Sequence, residues 1–190
     1  MIQRPAFLAL LLFLSAGSLK SQDIPPPNPG LVINIVSGYS IEFVFDEFDE
    51  YVNGIPNSGQ STFIRIGAIY DWKLQFKASQ LIFTGLNDAT HQMELNNVGV
   101  QVDSQGTNQD DGSNIINYAQ TVPLALESND ITLLTKGALS NKGYHYENQF
   151  YLNWEMGTRN GNMNNESLLE QIIPNDTYTL IIYLTLSLYP

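Results

Sequence analysis

Cysteine is missing from all 190 residues. That absence excludes a disulfide framework, a thiolate metal site, a Cys nucleophile and a lipid anchor on an N-terminal lipobox cysteine. Histidine is almost as scarce: His91 and His145 are the two present, far apart and in no recognisable motif. There is also no G-x-S-x-G nucleophile elbow. Eight basic residues face nineteen acidic ones. Such a surface disfavours nucleic acid and anionic lipid, which bind through Lys/Arg patches. The longest unbroken apolar run, Ala6 to Leu14, is shorter than the about 20 residues that span a bilayer as a helix.

That run has a different meaning. Arg4 precedes it, and the small residues Ser15, Ala16, Gly17 and Ser18 follow it. This is the charged, apolar and small-residue order of a secretory signal peptide. Cleavage after Gly17 or after Ser21 satisfies the pattern. The second is preferred because it leaves the polar, proline-rich QDIPPPNPG at the front. The expected organisation is a signal peptide over 1–21, a Pro-rich leader over 22–30 and one domain over 31–190. Loss of Arg4 and Lys20 leaves six basic residues against nineteen acidic, a balance of −13. Export without disulfides suits a bacterial envelope, so the expected location is periplasm, outer surface or secreted.

The remaining chain alternates with period two. In IYDWKLQFKAS, Tyr70, Trp72, Leu74, Phe76 and Ala78 share one face, and Asp71, Lys73, Gln75 and Lys77 the other. YSIEFVFDEF sets Tyr39, Ile41, Phe43 and Phe45 against Ser40, Glu42, Val44 and Asp46. LVINIVSG places Leu31, Ile33 and Ile35 together, and TFIRIGA reads as a strand ending near Gly67. Shorter strand patterns occur at LIFTG, VGVQV, VPLAL and ITLLT, then a long one at YENQFYLNWEM. The chain closes on YTLIIYLTLSLYP, whose inner row is Tyr178, Leu180, Ile182, Leu184, Leu186 and Leu188. Without Lys, Glu or Pro before Pro190 to block pairing, so long a strand has to be interior or covered by another subunit. Only NNESLLEQII suggests a helical turn. Roughly ten strands with frequent turn signals predict an all-β fold, a single antiparallel β-sandwich of Ig-like or pilin-like kind.

Signals for chemistry are few. DEFDEY places Asp46, Glu47, Asp49 and Glu50 together, as a glycosidase pair or a Ca²⁺ site would. Their position at a strand end reads better as a solvated acidic cluster. Asn108, Asp110, Gly112 and Asn114 alternate as in a calcium loop, but no Glu follows at the EF-hand distance, so a polar hairpin tip is expected. Both tryptophans, Trp72 and Trp154, fall on apolar strand faces and read as core anchors. The glycosylation patterns at Asn165 and Asn175 receive no role. No cofactor, metal or catalytic residue is assigned.

Pro174, Tyr178, Ile182, Thr185 and Leu186 fill a P-x-x-T-Y-x-x-x-I-x-x-T-L shape, and Trp72, Leu74 and Ala78 a W-x-L-x-x-x-A strand. In these segments the chain resembles exported β-sandwich subunits of bacterial surface fibres, the spore-coat-U and archaic chaperone–usher pilin type and pilin-like proteins of Bacteroidota. The cysteine pair of many such pilins and the lipoprotein cysteine of type V pilins are both absent. The resemblance implies an exported, non-enzymatic structural or adhesive protein that binds another protein or itself. Leu31, Ile33 and Ile35 are then the candidate residues for strand donation to a neighbour. The competing expectation is that their strand pairs within its own sandwich. The alternative function is a small carbohydrate-binding module.

Overall fold

The computed structural model describes residues 8–15, 30–57, 59–108, 114–117 and 122–190, with the backbone alone described at 8–15, 116 and 117. The leader except Gly30, and positions 109–113 of the polar loop, lie outside the described residues.

The strands are β1 Leu8–Ser15, β2 Leu31–Ser37, β3 Ser40–Phe45, β4 Ser61–Ala68, β5 Trp72–Ala78, β6 Phe83–Thr84 and β7 Gln92–Met93. They continue as β8 Val98–Ser104, β9 Ile115–Asn117, β10 Leu124–Ala125, β11 Ile131–Lys136, β12 Gln149–Met156 and β13 Thr177–Leu188. One sheet runs β3-β1-β13-β5-β11-β9, the other β10-β8-β12-β4-β2, and β6-β7 is a small ribbon. The fold is thus all-β, with antiparallel pairing in every ladder described except β1 against β13, which is parallel. No helix among the described residues is long and apolar enough to cross a membrane.

Inner and outer faces follow the parity of the sequence. Trp72, Leu74 and Phe76 are fully buried, as are Phe150, Leu152 and Trp154. These rows meet between the sheets: the Trp72 ring lies edge-on to Phe150 at 6.1 Å, and Trp154 edge-on to Phe76 at 6.5 Å. Edge-to-face pairs of this kind contribute about 0.5–1.5 kcal/mol beyond area burial. The indole N–H groups also find partners: Trp72 Nε1 donates to the Asn141 carbonyl at 2.8 Å and Trp154 Nε1 to Thr62 Oγ1 at 3.1 Å. Both tryptophans are core anchors.

Several local expectations are refined. Tyr39 and Tyr70 continue the apolar parity of β3 and β5 on paper, yet they are 57% and 50% exposed, because each precedes its strand at a corner where the chain changes sheets. At the first corner Gly38 has φ +73°, and an added Cβ would lie 2.1 Å from the Ser61 carbonyl oxygen, so glycine is required there. β4 runs on through Gly67 to Ala68. DEFDEY does more than end a strand: Phe48–Asn53 forms a short helix, α1, in which Glu50 Oε2 accepts hydrogen bonds from the Asp46 and Glu47 amides. The NNESLLEQII segment makes the single helical turn expected of it: the Gln171 amide donates to the Ser167 carbonyl at 3.1 Å, and Ser167 Oγ caps the turn by accepting from the Glu170 amide at 3.2 Å.

The terminal strand is flanked by β1 and β5 at once at Ile182 and Tyr183. β13 pairs with β1 from Thr177 to Tyr183 and with β5 from Ile182 to Leu188. Its inner row Tyr178, Leu180, Ile182 and Leu184 is buried, and Leu188, at 45% exposure, emerges at the end.

Asn141, fully buried, locks the start of β5: its Oδ1 accepts from the Trp72 amide at 3.0 Å, and its Nδ2 donates to the Trp72 carbonyl at 2.9 Å. Asn141→Ala leaves two buried backbone groups without partners, at about 1–3 kcal/mol each. Urea unfolding followed by tryptophan fluorescence should therefore show about 2–5 kcal/mol of lost stability, with an unchanged slope.

Candidate functional site

Two places on this scaffold are built differently from the rest. The first is the slot between β3 and β13, filled by β1. In register, Leu10 stands between Phe43 and Tyr178, and Leu12 between Ile41 and Leu180. Leu8 pairs with Phe45 and Leu14 with Ile182. All six flanking residues belong to the buried core. The even-numbered positions of β1 therefore sit on the inner parity of the sheet.

The odd-numbered positions do not match their neighbours. Leu11 stands between Glu42 and Thr179, and Phe13 between Ser40 and Ile181. On β3 those outer positions are exposed, and on β13 they are half-buried or exposed. The outer positions of the flanking strands mix polar residues, Ser40, Glu42, Thr177 and Thr179, with the apolar Val44 and Ile181, whereas LALLLFLS is apolar at every position but the last. A strand chosen for this slot would read apolar-polar, as β3 does.

The three residues predicted as a donor strand lie elsewhere. β2 pairs with its own β4, Leu31 with Ala68, Ile33 with Ile66 and Ile35 with Ile64. Ile35 is buried, and Leu31 and Ile33 pack partly against the core. β2 is nevertheless the last strand of its sheet, so one of its sides faces no other strand among the described residues.

The second place is a cleft of about 550 Å³ on the outer face of the five-stranded sheet, where β2 and β4 meet the loop carrying Lys142, Tyr144 and His145. Nothing in the sequence patterns marked it, because its walls come from three separate segments.

The two histidines are not brought together. His91 Nδ1 lies 3.0 Å from Asp176 Oδ2, and its Nε2 lies 3.8 Å from Asp88 Oδ2. His145 packs edge-on against Tyr146. The Asp176 side chain is fully buried and is the hub of a network: its carboxylate accepts from the amides of Asn87, Asp88 and Thr177 as well as the Asn87 side chain. Burial opposes ionisation, but these donors and His91 outweigh it and hold the carboxyl well below the usual carboxylate range. Burial, with the Asp176 charge second, pushes the Tyr178 phenol up to about 12.

Of the calcium-loop positions, Asn108 is committed to protein groups: its Nδ2 donates to the Lys142 carbonyl and to Asn148 Oδ1, each at 3.2 Å. Asp110 and Gly112 lie outside the described residues. Among the described residues no group of three or more His, Asp or Glu side chains is placed to hold a metal.

No family model matches the chain, and no curated protein or solved structure does either.

Asp176 ties the 87–91 loop to the start of β13, and its effect has a definite sign with pH. A carboxyl held below its unfolded value of 3.8 stabilises the fold above that value and loses its contribution as pH falls toward the folded one. Asp176→Asn should melt below the wild type at pH 7, and the gap should close as pH falls from about 4 toward 2. Thermal melts across that range, read by circular dichroism, test this.

Proposed function

We propose that this is an exported, non-enzymatic structural or adhesive protein of a bacterial cell surface, which assembles by receiving a β-strand from a protein partner into the slot between β3 and β13. The observation that carries the reading is the identity of the slot's occupant. Residues 8–15 are the apolar centre of the segment expected to be cleaved on export, yet they occupy an interior sheet position. Their cleavage strips strand partners from both β3 and β13 and uncovers the inner row Ile41, Phe43, Phe45, Tyr178, Leu180 and Ile182.

A slot so opened is unstable alone. Each buried backbone group left without a partner costs about 1–3 kcal/mol, and an apolar row opened along its length adds transfer cost. A strand with alternating apolar residues restores both terms, and its main-chain hydrogen bonds supply affinity. The uniform apolarity of LALLLFLS suits a signal segment better than a two-faced sheet, which is why a different final occupant fits. Leu31, Ile33 and Ile35 of a second copy offer three apolar residues at alternate positions. Their release from an edge strand makes β4 the new edge and removes Ile35 from the core, a cost that filling the slot has to offset.

The arrangement around His91 supports a non-enzymatic reading. Both of its nitrogens face carboxylates rather than a hydroxyl nucleophile, and the Asp176 network serves to join two segments. An assembly surface also agrees with the acidic balance, which keeps free chains apart and leaves specific strand pairing to bring them together.

Three proteins separate the outcomes: the full chain, a chain starting at Gln22 and a chain starting at Tyr39. By light scattering after size exclusion, the full chain should be a folded monomer. The chain from Gln22 should self-associate, with β3 and β13 amides protected from hydrogen exchange in the assembled form. The chain from Tyr39 should fail to associate. A monomeric Gln22 chain whose β3 and β13 amides are as protected as in the full chain refutes the open slot. Assembly of the Tyr39 chain assigns the donor to another strand.

A further inference from the structure

On the outer face of the five-stranded sheet, β4 presents Phe63 and Arg65 and then, at the next outward position, Gly67. Arg65 lies over the Phe63 ring at 5.1 Å, and Phe63 stacks on Tyr151 at 4.8 Å, so the neighbouring face is paved with side chains. At Gly67 the paving stops. A Cβ added there would approach nothing closer than the His145 amide nitrogen at 4.0 Å, and Gly67 has no positive φ that would demand glycine. The missing side chain makes the floor of the cleft. Val32, directly across the ladder from Gly67, and Ile69 form apolar walls and are 50% and 65% exposed.

The opposite wall carries aromatic rings, a lysine and a histidine, with the Glu147 carboxylate turned back to accept from the Tyr144 amide at 2.6 Å. Tyr144, 69% exposed, is held by stacking on Tyr146 with ring centroids 5.7 Å apart and planes 11° from parallel. Burial does not fix this ring; the stack does. Lys142 and His145 stand on the same wall. Lys142 is one of only eight basic residues in the chain, and no carboxylate pairs with its ammonium among the described residues. Asn34 adds an exposed amide on the β2 side, in register with Arg65.

We infer that this cleft binds an acidic saccharide, one hexuronate ring seated over Gly67 against Tyr144 with its carboxylate toward Lys142. A pyranose carries a flat C–H face and a polar rim. The cleft offers the complement: apolar walls, a flat ring, and a few polar groups at the edge. The sign of the charge decides the class of sugar. Among the described residues Lys142 has no carboxylate partner, so its ammonium is the group at the cleft edge that favours an anionic ligand over a neutral one. An acidic peptide laid along the free side of β2 would meet the same lysine, but a peptide needs no flat ring held ready by a second tyrosine. The cleft lies on the other sheet from the β3–β13 slot, so a chain that receives a strand keeps its cleft, but β2 is one wall of that cleft, and a chain that has donated β2 loses it.

The test is calorimetric titration of the full chain with trigalacturonate, with maltotriose as neutral probe and hexaglutamate as acidic peptide probe. Saturable binding of trigalacturonate is expected, at least about tenfold tighter than maltotriose and weakening with added salt. Gly67→Val places a branched side chain where the floor is open. It should cut affinity at least about tenfold without lowering the melting temperature, since a Cβ there meets only the His145 amide nitrogen, at 4.0 Å. Tyr144→Ala should do the same, and Lys142→Gln should remove the preference for the acidic probe. The inference is overturned if trigalacturonate does not saturate, if Gly67→Val binds it unchanged, or if hexaglutamate binds as tightly and competes.

Discussion

The two sheets stay in register because two tryptophans on one pair of facing strands are each met by a phenylalanine on the other. Trp72 on β5 meets Phe150 on β12, and Phe76 on β5 meets Trp154 on β12. The pairing is reciprocal, so sliding or rotating one sheet against the other would break both contacts. Each indole also has a polar end that is satisfied, by Asn141 or by Thr62. The interaction is therefore directional as well as apolar, and the strands on either side inherit their position from it. β13 follows from β5 along seven register pairs, and β4 and β8 follow from β12.

From this clamp outward, the structure becomes less self-sufficient. Near β5 and β12 the inward side chains are buried, and two aromatic pairs join the facing sheets. At β1 the inner parity is matched but the outer one is not, and the segment filling that place is the one with a sequence-based reason to leave. On the proposed reading, the fold joins a strongly specified centre to a flank whose completion, once the first segment is cleaved, depends on an added strand. Parallel pairing of β1 with β13, slightly weaker per residue than antiparallel pairing, fits an exchangeable occupant.

The outer face of the second sheet carries a different kind of incompleteness. There the backbone ladder continues through Gly67, but the layer of side chains has a hole, framed by a stacked tyrosine pair and a lysine. Assembly and ligand capture would use different physics: main-chain hydrogen bonds and alternate apolar anchors in the slot, a flat ring and one charge in the cleft. They lie on opposite sheets, but β2 is both the candidate donor and a wall of the cleft, so a chain that receives a strand and keeps its own β2 would still present its cleft.

Much of the fold was legible in the chain's parity, because inward or outward placement on a strand is a local property. The inner rows of β3, β5, β12 and β13 could be named residue by residue, and both tryptophans placed in the core. Parity failed at Tyr39 and Tyr70, where the chain turns a corner and alternation stops meaning burial. The helix α1 escaped notice because its signal is one reciprocal capping contact, Glu50 to the amides before it, inside a run of carboxylates. Leu31, Ile33 and Ile35 were recognisable as one apolar face, but nothing local says which strand that face meets; the structure gives it to β4. The same holds for Asp176 and His91, for Leu10 between Phe43 and Tyr178, and for Gly67 beneath Tyr144. Each joins segments far apart in sequence, and such partners are selected by the path of the whole chain and the sum of core packing. The alternation of residues determined which side of each strand is apolar; only the tertiary structure decided which strands became neighbours, and so where a slot and a cleft would lie.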